Sequence, residues 1–322
     1  LKSSANEESL GLVMSLYTRL LPKGPSGFGA GSTAEEVTEG ISLEGKTVFL
    51  TGCNSGLGLE TARVLLMRGA HVVGTTRTKD KAEAAARSFA RSVRGHFTSL
   101  VCELSDLGSV RACIREVRER ALSLDALIAN AGIMALSERQ MVHGCEAQLF
   151  TNHVGHFLLI TELLPQLGER GRVVLVTSEA HRLAPSGPVE LRGDGGPYSP
   201  WRAYGRSKLA NLLFAKALAR RFQGTPRTAH AVHPGAIKTN LGRHVKSPLV
   251  HGAFAAAGML VLKSIPEGAA TQCLAAVHPV AEGVSGAYWA NCNVDRPSPS
   301  ADDVALSESL WQATEQFLRS VP

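Results

Sequence analysis

A doubly wound α/β domain, with a seven-stranded, mostly parallel sheet and helices on both faces, is the fold class this sequence predicts. Three observations point to it. From Lys46 onward, short β-branched runs alternate with longer helical patterns, the mark of βαβ units. The chain has 322 residues at 44% hydrophobic content, enough to bury a large core. Charged residues make up only 19%, and 32 glycines supply tight turns, both in keeping with an enzyme built around a buried sheet.

Taken in order, residues 1–40 read as an N-terminal extension and 41–322 as the domain itself. The extension holds a short apolar patch from Leu10 to Tyr17, then a loop signal, Pro22-Lys23-Gly24-Pro25-Ser26-Gly27. Ser32-Thr33-Ala34-Glu35-Glu36-Val37 has the pattern of a capped helical turn. Strands are expected near 46–51, 71–75, 97–103, 125–130, 172–177, 227–233 and 286–290. Helices are expected near 56–68, 80–93, 106–121, 141–165, 202–222, 266–277 and 302–319. Right-handed crossovers put ligands beyond the carboxyl ends of such strands. The chemically suggestive residues fall there.

After the apolar strand Thr47-Val48-Phe49-Leu50 comes Thr51-Gly52-Cys53-Asn54-Ser55-Gly56-Leu57-Gly58, which opens a helix. Gly52 permits the tight turn, Gly56 lets backbone approach a pyrophosphate, and Gly58 allows close packing of helix on strand. The helix start offers N–H groups and a favourable dipole to an anion. The spacing G-x-x-x-G-x-G departs from the G-x-G-x-x-G fingerprint, so the likeness is one of mechanism. At the end of the second strand, His71-Val72-Val73-Gly74-Thr75-Thr76-Arg77 carries no acid for a ribose 2′-OH, and Lys79 follows Arg77. That favours NADP(H) over NAD, although Asp80 is close by.

Tyr204-Gly205-Arg206-Ser207-Lys208 places a phenol and an ammonium at i and i+4, on one helix face. The ammonium is expected to lower the phenol's pKa from about 10, readying it to exchange a proton with an alcohol or carbonyl oxygen. Thr177-Ser178 lies one loop upstream, across a Pro- and Gly-rich stretch of the length used for lids and rims, 182–202. A second candidate wall runs within 236–264, from Pro248 to Leu262.

These motifs together resemble the short-chain dehydrogenase/reductase family over roughly residues 41–290. The family's glycine motif matches Thr51 through Gly58, and its N-A-G motif matches Asn130-Ala131-Gly132. Its catalytic asparagine, serine and Y-x-x-x-K match Asn152, Ser178, and Tyr204 with Lys208. Its P-G motif matches Pro234-Gly235, with Ile237 and Thr239 behind. Thr151-Asn152-His153-Val154-Gly155-His156-Phe157-Leu158 and Ser178-Glu179-Ala180-His181-Arg182 look like the retinol-dehydrogenase-like branch, which includes the WW-domain-containing oxidoreductases. Ser32 to Val37 and Gly268-Ala269-Ala270-Thr271 are especially similar to a group associated with the chloroplast inner envelope. Where the family usually has aspartate near the adenine, this chain has Glu103-Leu104.

The resemblance implies a Rossmann-type fold, NADP(H) and a bulky apolar aldehyde, ketone or alcohol as substrate. It implies that Tyr204 donates the proton, that Ser178 bonds the carbonyl oxygen, and that Lys208 holds the ribose hydroxyls. Asn152 is implied to position a water linking Lys208 to solvent. Pro234-Gly235 is implied to approach the nicotinamide carboxamide, with Thr239 near the phosphates. Pairing of two copies through the long helices after strands four and five is a family habit. The compartment stays open between cytoplasm and an organelle-membrane periphery, chloroplast included.

Other classes fit poorly. No basic run with interleaved aromatics points to nucleic acid, and the net charge of +6 suits an anionic ligand or surface. No apolar run reaches the ~18 residues of a membrane span, so the Leu10 patch reads as a packed helix before a peripheral membrane contact. Six cysteines without a C-x-x-C pair argue for a reduced intracellular protein without structural zinc. His153 and His156 lack carboxylate partners, so no metal site is expected. A serine hydrolase would need a G-x-S-x-G elbow that Ser178 lacks. The rival that survives is a redox-sensing NADP(H)-binding scaffold.

Overall fold

The computed structural model describes Thr18 and residues 21–89, 94–193, 196–237 and 262–321. Eight strands form one sheet: β1 (Thr47–Thr51), β2 (His71–Thr76), β3 (His96–Val101), β4 (Leu124–Ala129), β5 (Leu167–Val176), β6 (Thr228–His233), β7 (Tyr288–Ala290) and β8 (Asn293–Asp295). Their order is β8-β7-β6-β5-β4-β1-β2-β3. Every pairing is parallel except β7 with β8. The chain runs outward from β1 through β2 to β3, then returns to lay β4 on β1's other side. That reversal is the switch point where such sheets bind ligands.

Strand residues alternate between the two faces, as a period of two demands. Phe49, Leu127, Val173, Leu175 and Tyr288 join one core cluster. Val48, Leu50, Ile128, Val174 and Trp289 join the other. The helices divide accordingly. On the second face lie α1 (Gly56–Met67), α2 (Lys79–Phe89) and α6 (Ile265–Val277). On the first lie α3 (Leu107–Glu119), α4, α5 (Pro200–Arg221) and α7 (Val304–Arg319). α4 is composite, with Ala147–Leu149 and Gly155–Leu163 in α form around a π turn, Phe150–Val154.

The sheet has eight strands where seven were expected. The additional β8 turns back from β7 through Asn291 and Cys292, both at positive φ (51° and 63°). Helix α4 begins at Ala147 rather than near 141, because Met141–Val142 and Cys145–Glu146 form a small hairpin. The expected capped turn is a 3-10 turn, Glu36–Thr38, with Thr33 and Glu36 bonding each other's backbone N–H at 2.7 and 3.2 Å. Ala34 and Val37 are fully buried against the α1 and α6 face. The apolar patch from Leu10 to Tyr17 and the wall from Pro248 to Val261 lie outside the described residues. Among those described, no helix is long and apolar enough to cross a membrane.

Candidate active site

Register brings the strand ends together. Thr51 pairs with Thr75, Ala129 with Leu175, Val176 with Val232, and His233 with Ala290. Gly52, Asn130, Ser178 and Pro234 therefore leave the sheet along one edge.

The glycine turn is built as its sequence requires. Gly52 (φ +73°) and Cys53 donate their N–H groups to the Thr75 carbonyl at 2.9 and 3.1 Å. Gly56 also sits at positive φ, +55°, where other residues are strained. A side chain at Gly58 would run into the Gly52 carbonyl and lie 2.6 Å from Asn130 Nδ2. Ser55 makes no side-chain cap on α1, so the helix's first N–H groups are left to another acceptor. Cys53 is buried while Asn54 and Ser55 face outward. Asn130 braces the turn: Nδ2 donates to Thr51 O at 2.8 Å, and Oδ1 accepts from Gln272 Nε2 at 3.2 Å. Ala131 packs beneath Gly52, where an added Cβ would sit 2.9 Å away. The cradle is one that glycine alone leaves open, and its donors suit a dinucleotide's pyrophosphate.

Farther along, Arg77 and Lys79 are exposed just past β2, with no ion pair to either among the described residues. Glu103 turns one carboxylate oxygen, Oε1, onto Ser105 N (3.1 Å) and Oγ (2.8 Å), and Leu104 is buried beside it. Gly235 has φ +95°, and the stem of Lys263 crosses where its Cβ would be, 2.7 Å away. Ile237 and Leu57 meet over Gly268, joining the P-G segment to the glycine turn. Thr239 lies outside the described residues.

At the far side of this edge, the Ser178 side chain faces the Tyr204 phenol and acts to lower its pKa. Tyr204 is held there because Gly205 lets α5 lie directly on the 3-10 turn Glu179–Leu183, its Cα facing the Ala180 carbonyl. Lys208 is 4% exposed, and its Nζ donates to Val176 O at 3.0 Å and stands 5.6 Å from the centre of the Tyr204 ring. Asn152 is fully occupied: Oδ1 accepts from Ile133 N (2.8 Å), and Nδ2 donates to Ile133 O and Ser207 Oγ (both 2.9 Å). A Cβ on Gly132 would lie 2.9 Å from Asn152 Oδ1 and 3.6 Å from Lys208 Nζ. The four residues thus gather around the N-A-G turn.

The electrostatics differ from expectation in one respect. Burial pushes the Tyr204 phenol up to about 12, opposed in part by the Ser178 side chain, rather than letting Lys208 lower it. Burial likewise brings Lys208 down to about 8. The ammonium faces the ring and the Val176 carbonyl, so its charge is not spent on the phenol oxygen. At neutral pH the pair is a protonated phenol beside a charged amine.

The sequence profile described as short chain dehydrogenase matches residues 46–249. The chain belongs to the short-chain dehydrogenase family. It is 40% identical to the chloroplastic short-chain dehydrogenase TIC 32 A of Brassica napus over 322 residues, covering 96% of this chain and all of that one. Retinol dehydrogenase 14 of Homo sapiens is 38% identical over 290 residues, covering 85% and 86% of the two chains. A crystal structure of a Mycobacterium paratuberculosis protein superposes with a TM-score of 0.71 at 35% identity, covering 88% of this chain and 97% of the other. As a short-chain dehydrogenase the protein is an oxidoreductase acting on CH–OH groups with a nicotinamide cofactor.

Several residues that hold this site were not singled out by chemistry in the sequence. Thr177 Oγ1 donates to Lys208 O at 2.7 Å, and Ser207 Oγ donates to Tyr204 O at 2.8 Å. Thr51 Oγ1 accepts from the N–H groups of both Asn130 and Ala131, at 3.0 and 2.9 Å. Their spacing from the tetrad was the available signal. Within the Pro- and Gly-rich stretch before α5, Tyr198 Oη donates to Leu136 O at 3.0 Å.

Proposed function

We propose that the protein is an NADP(H)-dependent reductase of bulky apolar aldehydes or ketones, running as an alcohol dehydrogenase in reverse. The carrying observation is the placement of the Ser178 hydroxyl where it lowers the Tyr204 phenol's pKa, with Lys208 buried under the same ring. When bound, the reduced nicotinamide supplies a hydride to the substrate carbon. The chain's own groups do the rest. Ser178 donates a hydrogen bond to the carbonyl oxygen as charge develops there, and Tyr204 delivers its phenolic proton to that oxygen. Lys208 holds the ribose hydroxyls of the cofactor.

Arg77 and Lys79, with no acid at the end of β2, favour a 2′-phosphate and hence NADP(H). Glu103 Oε2 is the atom offered to the adenine amine. Trp201 stands edge-on to Tyr204 at 6.2 Å, an apolar neighbour in keeping with a bulky apolar substrate. The names of the retinol dehydrogenase relatives agree with such a substrate. An intact proton-transfer set favours turnover over a purely regulatory NADP(H)-binding role.

The test is nicotinamide absorbance with a panel of medium and long aldehydes, NADPH against NADH. Turnover with NADPH is expected, falling about 10²- to 10⁴-fold in Tyr204→Phe. Cofactor binding without turnover on any aldehyde or ketone would favour the regulatory role, and an unimpaired Tyr204→Phe enzyme would sink the mechanism.

A further inference from the structure

Two histidines in the branch motifs take no part in the chemistry above, and the structure gives them matching positions. His156 follows Asn152 by four residues and His181 follows Ser178 by three; they are 0% and 1% exposed. His156 Nδ1 lies 2.9 Å from the Asn152 carbonyl oxygen, and its Nε2 lies 2.9 Å from Thr51 Oγ1. His181 Nδ1 lies 2.7 Å from the Ser178 carbonyl oxygen, and its Nε2 accepts from Ser298 N at 2.9 Å. Each ring therefore runs from the backbone of a tetrad residue to a distant segment.

The partners fix the tautomers. A carbonyl oxygen can only accept, so both Nδ1 atoms must carry the proton. A backbone N–H can only donate, so His181 Nε2 must be bare. For His156 the reasoning runs through Thr51, whose oxygen already takes two N–H groups, from Asn130 and Ala131. Its own proton has two acceptors within reach, the Ile128 carbonyl at 3.5 Å and His156 Nε2 at 2.9 Å; the shorter contact goes to Nε2, which is then bare, as a neutral ring with its proton on Nδ1 requires. Protonating either ring would turn an acceptor into a donor facing a donor. In keeping with this, burial brings His156 down to about 4 and lowers His181. The neighbouring His153 behaves otherwise: its Nε2 reaches Thr314 Oγ1 at 3.1 Å, docking α7 instead of the tetrad.

We propose that His156 and His181 are positioning residues, each locked as the neutral Nδ1–H tautomer, that hold the backbones of Asn152 and Ser178 in register with the cofactor edge. His156 ties the π turn bearing Asn152 to the end of β1, where the glycine turn begins. It also fills one lone pair of the Asn152 carbonyl, leaving the second to a water on the path to Lys208. His181 ties the Ser178 turn to the segment after β8. The proposal rests on the reductase reading for its activity readout, but not for the tautomers.

Each histidine is changed singly to Leu and to Asn, whose amide N–H stands where Nδ1–H stood. The leucine forms are expected to lose about tenfold or more in kcat, with NADPH dissociation constants within about twofold of the parent. The asparagine forms, which keep the bond to the carbonyl but lose the one to the distant segment, should fall between the leucine forms and the parent in kcat. Folded leucine forms with parental kcat, or asparagine forms as poor as leucine, would overturn the proposal. If the leucine forms do not fold, the asparagine forms and ring-nitrogen NMR of the unaltered protein decide. Both rings must show a protonated Nδ1 and a bare Nε2 at neutral pH; a protonated Nε2 on either refutes it. Tyr204→Phe, measured alongside, separates the outcomes: parental turnover there removes the parent reading while the tautomers stand or fall alone.

Discussion

Tyr204 and Lys208 are moved in opposite directions by the same cause, because burial penalises whichever form is charged. The phenol, up at about 12, keeps its proton through neutral pH and stays a competent donor for carbonyl reduction. The amine, down at about 8, keeps its charge only below that point. A lysine is charged beneath its pKa, so on the proposed mechanism its grip on the ribose hydroxyls fades as pH rises through about 8. Reductive kcat is therefore expected to hold level up to that pH and then fall. Lys208→Arg, whose guanidinium stays charged up to about pH 12, should move the falling limb upward even if misplacement lowers the plateau. A limb unmoved in Lys208→Arg would assign it to another group. The sequence spacing correctly placed the two side chains on one helix face. It could not reveal that the ammonium spends itself on Val176 O and the ring face, because that depends on how deeply β5 buries the pair.

The tetrad depends on how closely α5 approaches the Glu179–Leu183 turn, and Gly205 sets that distance. An added Cβ would run into the Ala180 carbonyl and lie 3.1 Å from Ala184 N, both backbone atoms that cannot swing aside. Gly205→Ala should push α5 outward and part Tyr204 from Ser178, lowering kcat by about 10- to 100-fold. Alanine favours helix over glycine by about 1 kcal/mol, which offsets part of the strain. Activity should therefore fall far more than the melting temperature, and NADPH affinity should change little; parental kcat would show that the helix yields without disturbing the pair. Other elements were legible to different degrees. The strands of the parallel sheet were evident from their apolar runs, and each glycine of the Thr51–Gly58 turn has a steric reason to be there. β8 was not evident, because its two-residue turn uses Asn291-Cys292 where Asn-Gly would have announced a hairpin. Burial of Cys292, whose N–H donates to Thr271 Oγ1 at 3.2 Å, holds that strained residue in place. The start of α4 was hidden for a similar reason: the hairpin before it turns on His143 and Gly144, at φ 50° and 79°.

At the scale of the whole molecule, α7 decides what the α4 and α5 face can do. Trp311 of α7 lies against Phe157 of α4 and Phe214 of α5, with ring centres 4.9 and 5.6 Å apart. The Arg221 guanidinium covers the same indole at 3.6 Å. His153 and Thr314 add a buried hydrogen bond, and Arg220 with Arg221 grips Glu308, holding its carboxyl down at about 2. The family habit of pairing through these two helices would need the surface that α7 already covers in cis. A second copy could reach it only by displacing a helix fixed by aromatic packing worth several kcal/mol, by analogy with large-to-small core substitutions. The protein is accordingly expected to show no pairing through the α4 and α5 face, and to scatter light as a single chain at micromolar concentration unless another face associates. Trp311→Ala should cost about 3 kcal/mol of stability and loosen α7. With Phe157 and Phe214 then uncovered, self-association should appear and grow with concentration. Dimerisation of the unaltered protein that persists unchanged with α7 held in place by an engineered cross-link would locate the interface elsewhere. Dimerisation abolished by that cross-link would mean that α7 swings out to let a second copy in.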